Sequence, residues 1–125
     1  MNEQAIKRVD LGQLVDSYRE AAVEHGKATE LGDFGSANRA AHVVAAIHSE
    51  LSRRGPGARE CLKSLLSDRE PAARLWAASH VLDLAPSKAA EVLEEIASGP
   101  SILGMSAATT LKEWRAGRLK FHRNE

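Results

Sequence analysis

Residues 62–78 read Leu62-Lys63-Ser64-Leu65-Leu66-Ser67-Asp68-Arg69-Glu70-Pro71-Ala72-Ala73-Arg74-Leu75-Trp76-Ala77-Ala78. Leucines three and four apart mark one face of a helix, and Ser67-Asp68-Arg69-Glu70 is a turn. Pro71 then stands where a new helix can open, because its missing N–H is one that a first turn leaves unbonded anyway. The pattern returns further along the chain. Leu62-x-x-Leu65 is echoed by Leu93-x-x-Ile96 at an offset of 31, and Ala77-Ala78 by Ala107-Ala108 at an offset of 30. Helix pairs repeating near this length predict a solenoid, in which each unit hides its apolar face against the next.

Outward from this core the rest of the chain also reads as helix. Gly55-Pro56-Gly57 breaks the chain, and a short helix from Ala58 to Ser67 buries Cys61, Leu62, Leu65 and Leu66. Upstream, a helix capped by Asp10 runs from Leu11 to Leu31 on an apolar stripe of Leu11, Leu14, Val15, Tyr18, Ala22 and Ala28, with Gly32 as its stop. Asp33 caps the next, Phe34 to Arg54, with Ala37, Ala40, Val44, Ile47 and Leu51 inward. Downstream, the helix opened by Pro71 extends to about Leu84, Pro86 opens another that stops at Gly99-Pro100, and the last runs from Ile102 to Ala116 before Gly117. Aromatics are 4% of the chain, β-branched residues are scattered, and strand signals are nearly absent. The expectation is six helices and no sheet: an arm over residues 1–9, one domain over 10–117, and a basic tail over 118–125.

Residues 62–78 resemble a HEAT repeat. That family recurrently carries an Asp in the turn inside the repeat and an Arg early in the second helix, and Asp68 and Arg74 stand at those places. Asp68 is positioned to cap the second helix, and Arg74 to offer its fork of donors to turn carbonyls. The second unit departs from the pattern, with Gly99 and Gly104 at the equivalent positions. More widely, residues from Asp10 to Gly117 look like a small bacterial family of HEAT-like proteins known as a domain of unknown function. Asn38, Glu50-Leu51, Arg54-Gly55, Arg74-Leu75-x-Ala77-Ala78 and Leu111-x-x-Trp114-x-x-Gly117 carry that resemblance. It implies an all-α fold in which a long helical hairpin precedes two HEAT-like helix pairs, an α-α superhelix. It also implies a bacterial cytoplasmic setting, and similar small helical-repeat proteins serve as immunity proteins beside toxin genes.

Composition narrows the function classes. The 125 residues hold 17 Lys plus Arg against 17 Asp plus Glu, which argues against a general nucleic-acid or membrane-surface binder. No apolar run is long enough to span a bilayer, and Met1-Asn2-Glu3-Gln4 does not open as a signal peptide. A single cysteine, Cys61, excludes an internal disulfide and suits a reducing cytoplasm. Its place on an apolar stripe reads as a buried, inert thiol. His25, His42, His48, His80 and His122 make no pair at i, i+4, so no metal site is expected. Glu91, Glu94 and Glu95 read as a solvated face rather than an acid–base pair, and no Gly-rich loop follows a strand. Neither an enzyme, nor a cofactor, nor a small-molecule substrate is expected.

What remains is a surface for a protein partner. From Asp10 to Asp33 six acids face two bases, a net of −4, and from Lys112 to Arg123 five bases face one acid, a net of +4. Asp16, Glu20 and Glu24 on the first long helix suit a basic partner such as a nuclease toxin. On the helix opened by Pro71, Ser79, His80 and Asp83 form the polar sector, and Trp76 within it either packs against the last helix or is a candidate anchor. Trp114 shares a stripe with Leu103, Ala107 and Leu111 and reads as core. Arg53, Arg54 and Arg59 either border a groove or cap the carbonyls ending their helix. The leading expectation is a non-enzymatic protein-binding module, most concretely a cytoplasmic immunity protein that occludes a toxin domain. The alternatives are a regulatory or scaffold adaptor, and a phosphate-backbone binder using Lys112, Arg115, Arg118 and Lys120, with Phe121 and His122 available for stacking.

Overall fold

A computed structural model describes residues 3–119 of the chain. Among the described residues there are seven α-helices, one 3-10 helix and no strand. The helices are α1 (Glu3–Lys7), α2 (Leu11–Leu31), α3 (Phe34–Arg54), α4 (Pro56–Glu60), α5 (Pro71–His80), α6 (Pro86–Ala97) and α7 (Ile102–Arg115); the 3-10 helix spans Cys61–Ser67. The fold is all-α, as the apolar periodicity requires. The helices group into two compact units, one ending at Cys61 and the other beginning at Leu62.

In the first unit α2 and α3 form a hairpin, with α1 and α4 packed on α3. Its ends are written in the caps. The Asp10 carboxylate accepts from the Gln13 backbone N–H at 2.9 Å, and the Asp33 carboxylate accepts from that of Ser36 at 3.1 Å. Between the two helices Gly32 takes the left-handed conformation at φ 73°, which lets its N–H bond Thr29 and that of Asp33 bond Ala28. Leu14, Tyr18, Ala22, Val44, Ile47 and Leu51 are fully buried on the facing stripes. Burial pushes the Tyr18 phenol well above its usual range.

One polar cluster locks this unit. Glu50 is only 6% exposed. It accepts two bonds from Arg53, at 2.9 and 2.6 Å, and one from Arg54 Nε at 2.7 Å. The hydrogen bonds from Arg53, and after them the one from Arg54, hold the Glu50 carboxyl down at about 2 against the cost of its burial. Arg54 then reaches with Nη2 to the backbone carbonyls of Ile6, Lys7 and Val9 at 3.2, 3.3 and 2.7 Å. These arginines were expected to line a groove or cap their own helix. Arg54 instead caps the end of α1, a short helix absent from the expected six because five residues are too few to show a period.

In the second unit α6 packs against both α5 and α7, which also touch each other. Leu62, Ala73, Ala77, Ala78, Val81, Leu82, Ala89, Leu93 and Ala107 are fully buried there. The turn before α5 is stitched partly as expected, in that Arg74 reaches a turn carbonyl. Asp68 does not cap α5, whose N-cap is Glu70 with no side-chain bond, because the Asp68 carboxylate is used inside the turn. Asp68 Oδ2 accepts from the Glu70 N–H at 2.9 Å, and Arg74 Nη1 donates to the Asp68 carbonyl at 2.6 Å. At the turn before α7, Ser101 caps the helix, its Oγ accepting from the Gly104 N–H at 3.4 Å, and the backbones approach closely. Gly104 is buried, and a Cβ built on it would lie 2.4 Å from the Gly99 carbonyl oxygen. Arg74→Ala is expected to lower stability by about 1 kcal/mol, the usual net contribution of one such bond, read as a shifted urea midpoint with unchanged slope.

Several boundaries differ from expectation. The short helix expected over 58–67 is one α-helical turn starting at Pro56 followed by 3-10 structure, and Cys61 is half-buried there, its thiol directed to the Gly57 carbonyl at 3.7 Å. The helix opened by Pro71 stops at His80, four residues early. Val81 and Leu82 are fully buried but lie in a turn, so their apolar character reflects burial and not helix. Asp83 accordingly lies off the helix whose polar sector it was expected to share. Trp114 and Leu103 sit half-buried at the margins of a stripe whose centre is Ala107 and Leu111.

Candidate functional site

Asp16, Glu20 and Glu24 are all exposed along α2. Their four-residue spacing puts them on one face, spread over about 12 Å of helix axis at 1.5 Å per residue. Among the described residues none of the three has an ion-pair or side-chain hydrogen-bond partner. Beside them lies a groove of about 270 Å³ between α2 and α3, with Glu20 and Glu24 on one wall and Ala21, Ala40 and Val43 along its bottom. Arg39 stands on the far wall. Its guanidinium is already engaged, donating to Ser36 Oγ at 2.9 Å next to the Asp33 carboxylate. The hydrogen bonds from Ser36 hold the Asp33 carboxyl below its ordinary range.

The charge spacing on α2 identifies one wall of this groove from sequence. The α3 wall was missed. Arg39 and Val43 fall just outside the Ala37, Ala40, Val44 stripe, and only the hairpin pairing brings them opposite Glu20 and Glu24.

The second set of candidates is in the other unit. Trp76 and His80, one turn apart on α5, have their ring centroids 5.8 Å apart at a tilt of 48°. Both are half-buried, as are Ser79 and Asp83. Ser79 uses its hydroxyl locally, donating to the Leu75 carbonyl at 2.8 Å. The structure thus brings Trp76 and His80 together on the helix and leaves Asp83 in the following turn.

Two of the four candidate phosphate contacts are engaged with carboxylates. Arg115 pairs with Glu94, and Arg118 makes two bonds to Glu113, at 2.8 and 3.1 Å. Those bonds hold the Glu113 carboxyl down and the Arg118 guanidinium up. Lys112 and Arg115 border an open groove of about 740 Å³ between α6 and α7, floored by Ala97, Ala108 and Leu111. Lys120, Phe121 and His122 lie outside the described residues. Among the described residues no group of three His, Cys, Asp or Glu is placed to hold a metal, and no helix is long and apolar enough to cross a membrane.

Comparison with known proteins fits this geometry into a family. A family model described as a domain of unknown function (DUF2019) matches residues 12–113, which takes in both units. The chain belongs to that family. The DUF2019 fold described above is shared with the crystal structure of the protein RPA1889 from Rhodopseudomonas palustris CGA009, at 30% sequence identity and a TM-score of 0.85. That match covers 94% of this chain and 98% of the other. No curated protein matches this DUF2019 member.

Proposed function

We propose that this protein is a non-enzymatic protein-binding module of HEAT-like type, most concretely a cytoplasmic immunity protein that covers a cognate toxin domain. The observation that carries the reading is the exposed row of Asp16, Glu20 and Glu24, which have no side-chain partner among the described residues. Carboxylates with a structural task here have partners: Glu50 and Glu113 pair with arginines, and Asp10 and Asp33 accept backbone N–H groups as helix caps. An unanswered row at regular spacing suits recognition of a basic surface, where complementary charge steers encounter and fixes orientation. A nuclease toxin has such a surface, since it must itself meet a phosphate backbone. The stitched turn of Asp68 and Arg74 supports the HEAT-like part of the reading. Occlusion by shape and charge needs no reacting group, in keeping with the paired or solvated character of the other carboxylates.

The test is affinity capture of the tagged protein from its native lysate, with and without nuclease. One dominant protein is expected to survive nuclease treatment and to be lost with the Glu20→Lys, Glu24→Lys double variant or with Trp76→Ala. Recovery of nucleic acid with no such protein would overturn the reading.

A further inference from the structure

We infer that α1 is a releasable strap, which opens from α3 and closes on it again while the α2–α3 hairpin stays folded, with Arg54 as its catch. The inference stands apart from the protein-binding reading and needs no partner. Five residues are too few to hold a helix in water, so α1 is helical only while it is docked. Along residues 5–9, Ile6 is buried, Val9 is half-buried, and Ala5, Lys7 and Arg8 are exposed. From α3, Arg54 Nη2 is shared among the carbonyls of Ile6, Lys7 and Val9. Against this apolar anchor and this shared donor stands the backbone freedom that every residue of the strap gives up on docking.

Both sides of the contact are built to survive opening. On α3, Glu50 is gripped twice by Arg53 and once by Arg54 Nε, and none of these bonds involves α1. The catch therefore keeps its aim when the strap is away. On the other side, Asp10 caps α2 through the Gln13 N–H at 2.9 Å, and its carbonyl accepts from the Leu14 N–H at 3.0 Å. The start of α2 is thus fixed by its own neighbours, and the hinge falls at Arg8 and Val9 between the two helices. Closing needs the fork of a guanidinium, whose Nε holds Glu50 while Nη2 reaches the strap. A lysine offers a single nitrogen and cannot stand in both places. Opening uncovers the seat of Ile6 and leaves Lys7 and Arg8 on an extended arm.

Trypsin reads the open state in the full chain, because it cuts after Lys7 or Arg8 only when the strap is extended. Where opening and closing are fast, the rate of cutting follows the open population. Mass spectrometry is expected to show these cuts before any after Arg19 or Lys27, which lie inside α2. In urea below the unfolding transition, strap cleavage is expected to rise with a much shallower slope than cleavage after Arg19 or Lys27, since opening exposes little surface. Arg54→Lys and Ile6→Ala are each expected to speed strap cleavage about tenfold, the equivalent of about one lost hydrogen bond or a comparable loss of apolar contact. Ile6→Ala leaves the Glu50 cluster untouched, so faster strap cleavage with no gain in the cuts after Arg19 or Lys27 would support the strap. Strap cleavage with the same urea slope as the hairpin cuts would overturn it. So would strap cleavage that neither variant changes, or a gain shared equally by all of these sites.

Discussion

Glu50→Ala is expected to lower the stability of the protein by about 3 kcal/mol, the usual cost of removing one partner from a buried charge cluster. Two guanidinium groups lose their shared carboxylate, and Arg54 loses the bond that aims it at the carbonyls of Ile6, Lys7 and Val9. Glu50→Gln, which keeps the shape, separates charge from packing through its pH dependence. The Glu50 carboxyl sits at about 2 in the folded protein against an ordinary value of 4.5. A depressed carboxylate contributes stability that is complete above its unfolded value and is lost as pH falls through the folded one. The gap between parent and Glu50→Gln is therefore expected to be about 2 kcal/mol at pH 7, discounted for the exposure of Arg53, and to close between about pH 4.5 and 2. Urea melts at several pH values check it; a constant gap would show that the carboxylate charge does not stabilise the fold.

Gly104→Val is the other large loss, expected at about 3 kcal/mol and a Tm lower by roughly 10 °C. An added Cβ meets the Gly99 carbonyl oxygen at 2.4 Å and that of Ile96 at 3.1 Å. Both are backbone atoms, so relief requires moving the α6–α7 turn itself. Gly104→Ala is expected to show most of the effect, because the clash begins at Cβ. Gly57 is the internal control, since a Cβ there meets nothing within 4 Å, and Gly57→Ala is expected to be neutral or slightly stabilising. Thermal melts of the three variants check the ranking.

The hairpin was legible in the sequence because local chemistry and apolar period agree there. Asp10, Gly32 and Asp33 each force a boundary through their own backbone neighbours, and the observed limits of α2 and α3 coincide with the expected ones. Past Gly55 the signals decouple. Leu62, Leu65 and Leu66 are buried as expected, yet the segment is 3-10, which the sequence does not reveal because periods of 3.0 and 3.6 cannot be distinguished over seven residues. At the end of α5, Val81 and Leu82 mimic a continuing stripe, while Pro86 already confines Ala85 to non-helical backbone at φ −140°. The acidic row was legible by spacing alone, since it belongs to one helix. The far wall of its groove and the clasp of Arg54 were not, because each depends on residues many positions away.

That clasp has a consequence for the order in which the first unit assembles. Arg54 and the carbonyls of Ile6, Lys7 and Val9 are 45–48 residues apart in the chain. Their meeting closes a long loop whose entropy loss only a formed α2–α3 hairpin can offset. The hairpin is therefore expected to form before α1 docks on it, and α1 to leave the first unit before the hairpin opens. Such a release would take Ile6 out of the core and strip Arg54 Nη2 of its carbonyl acceptors in α1, while the Nε bond to Glu50 would persist. The chain's first turn thus behaves as a small separate cooperative piece, whose amides should exchange with solvent well before those at the centre of the hairpin.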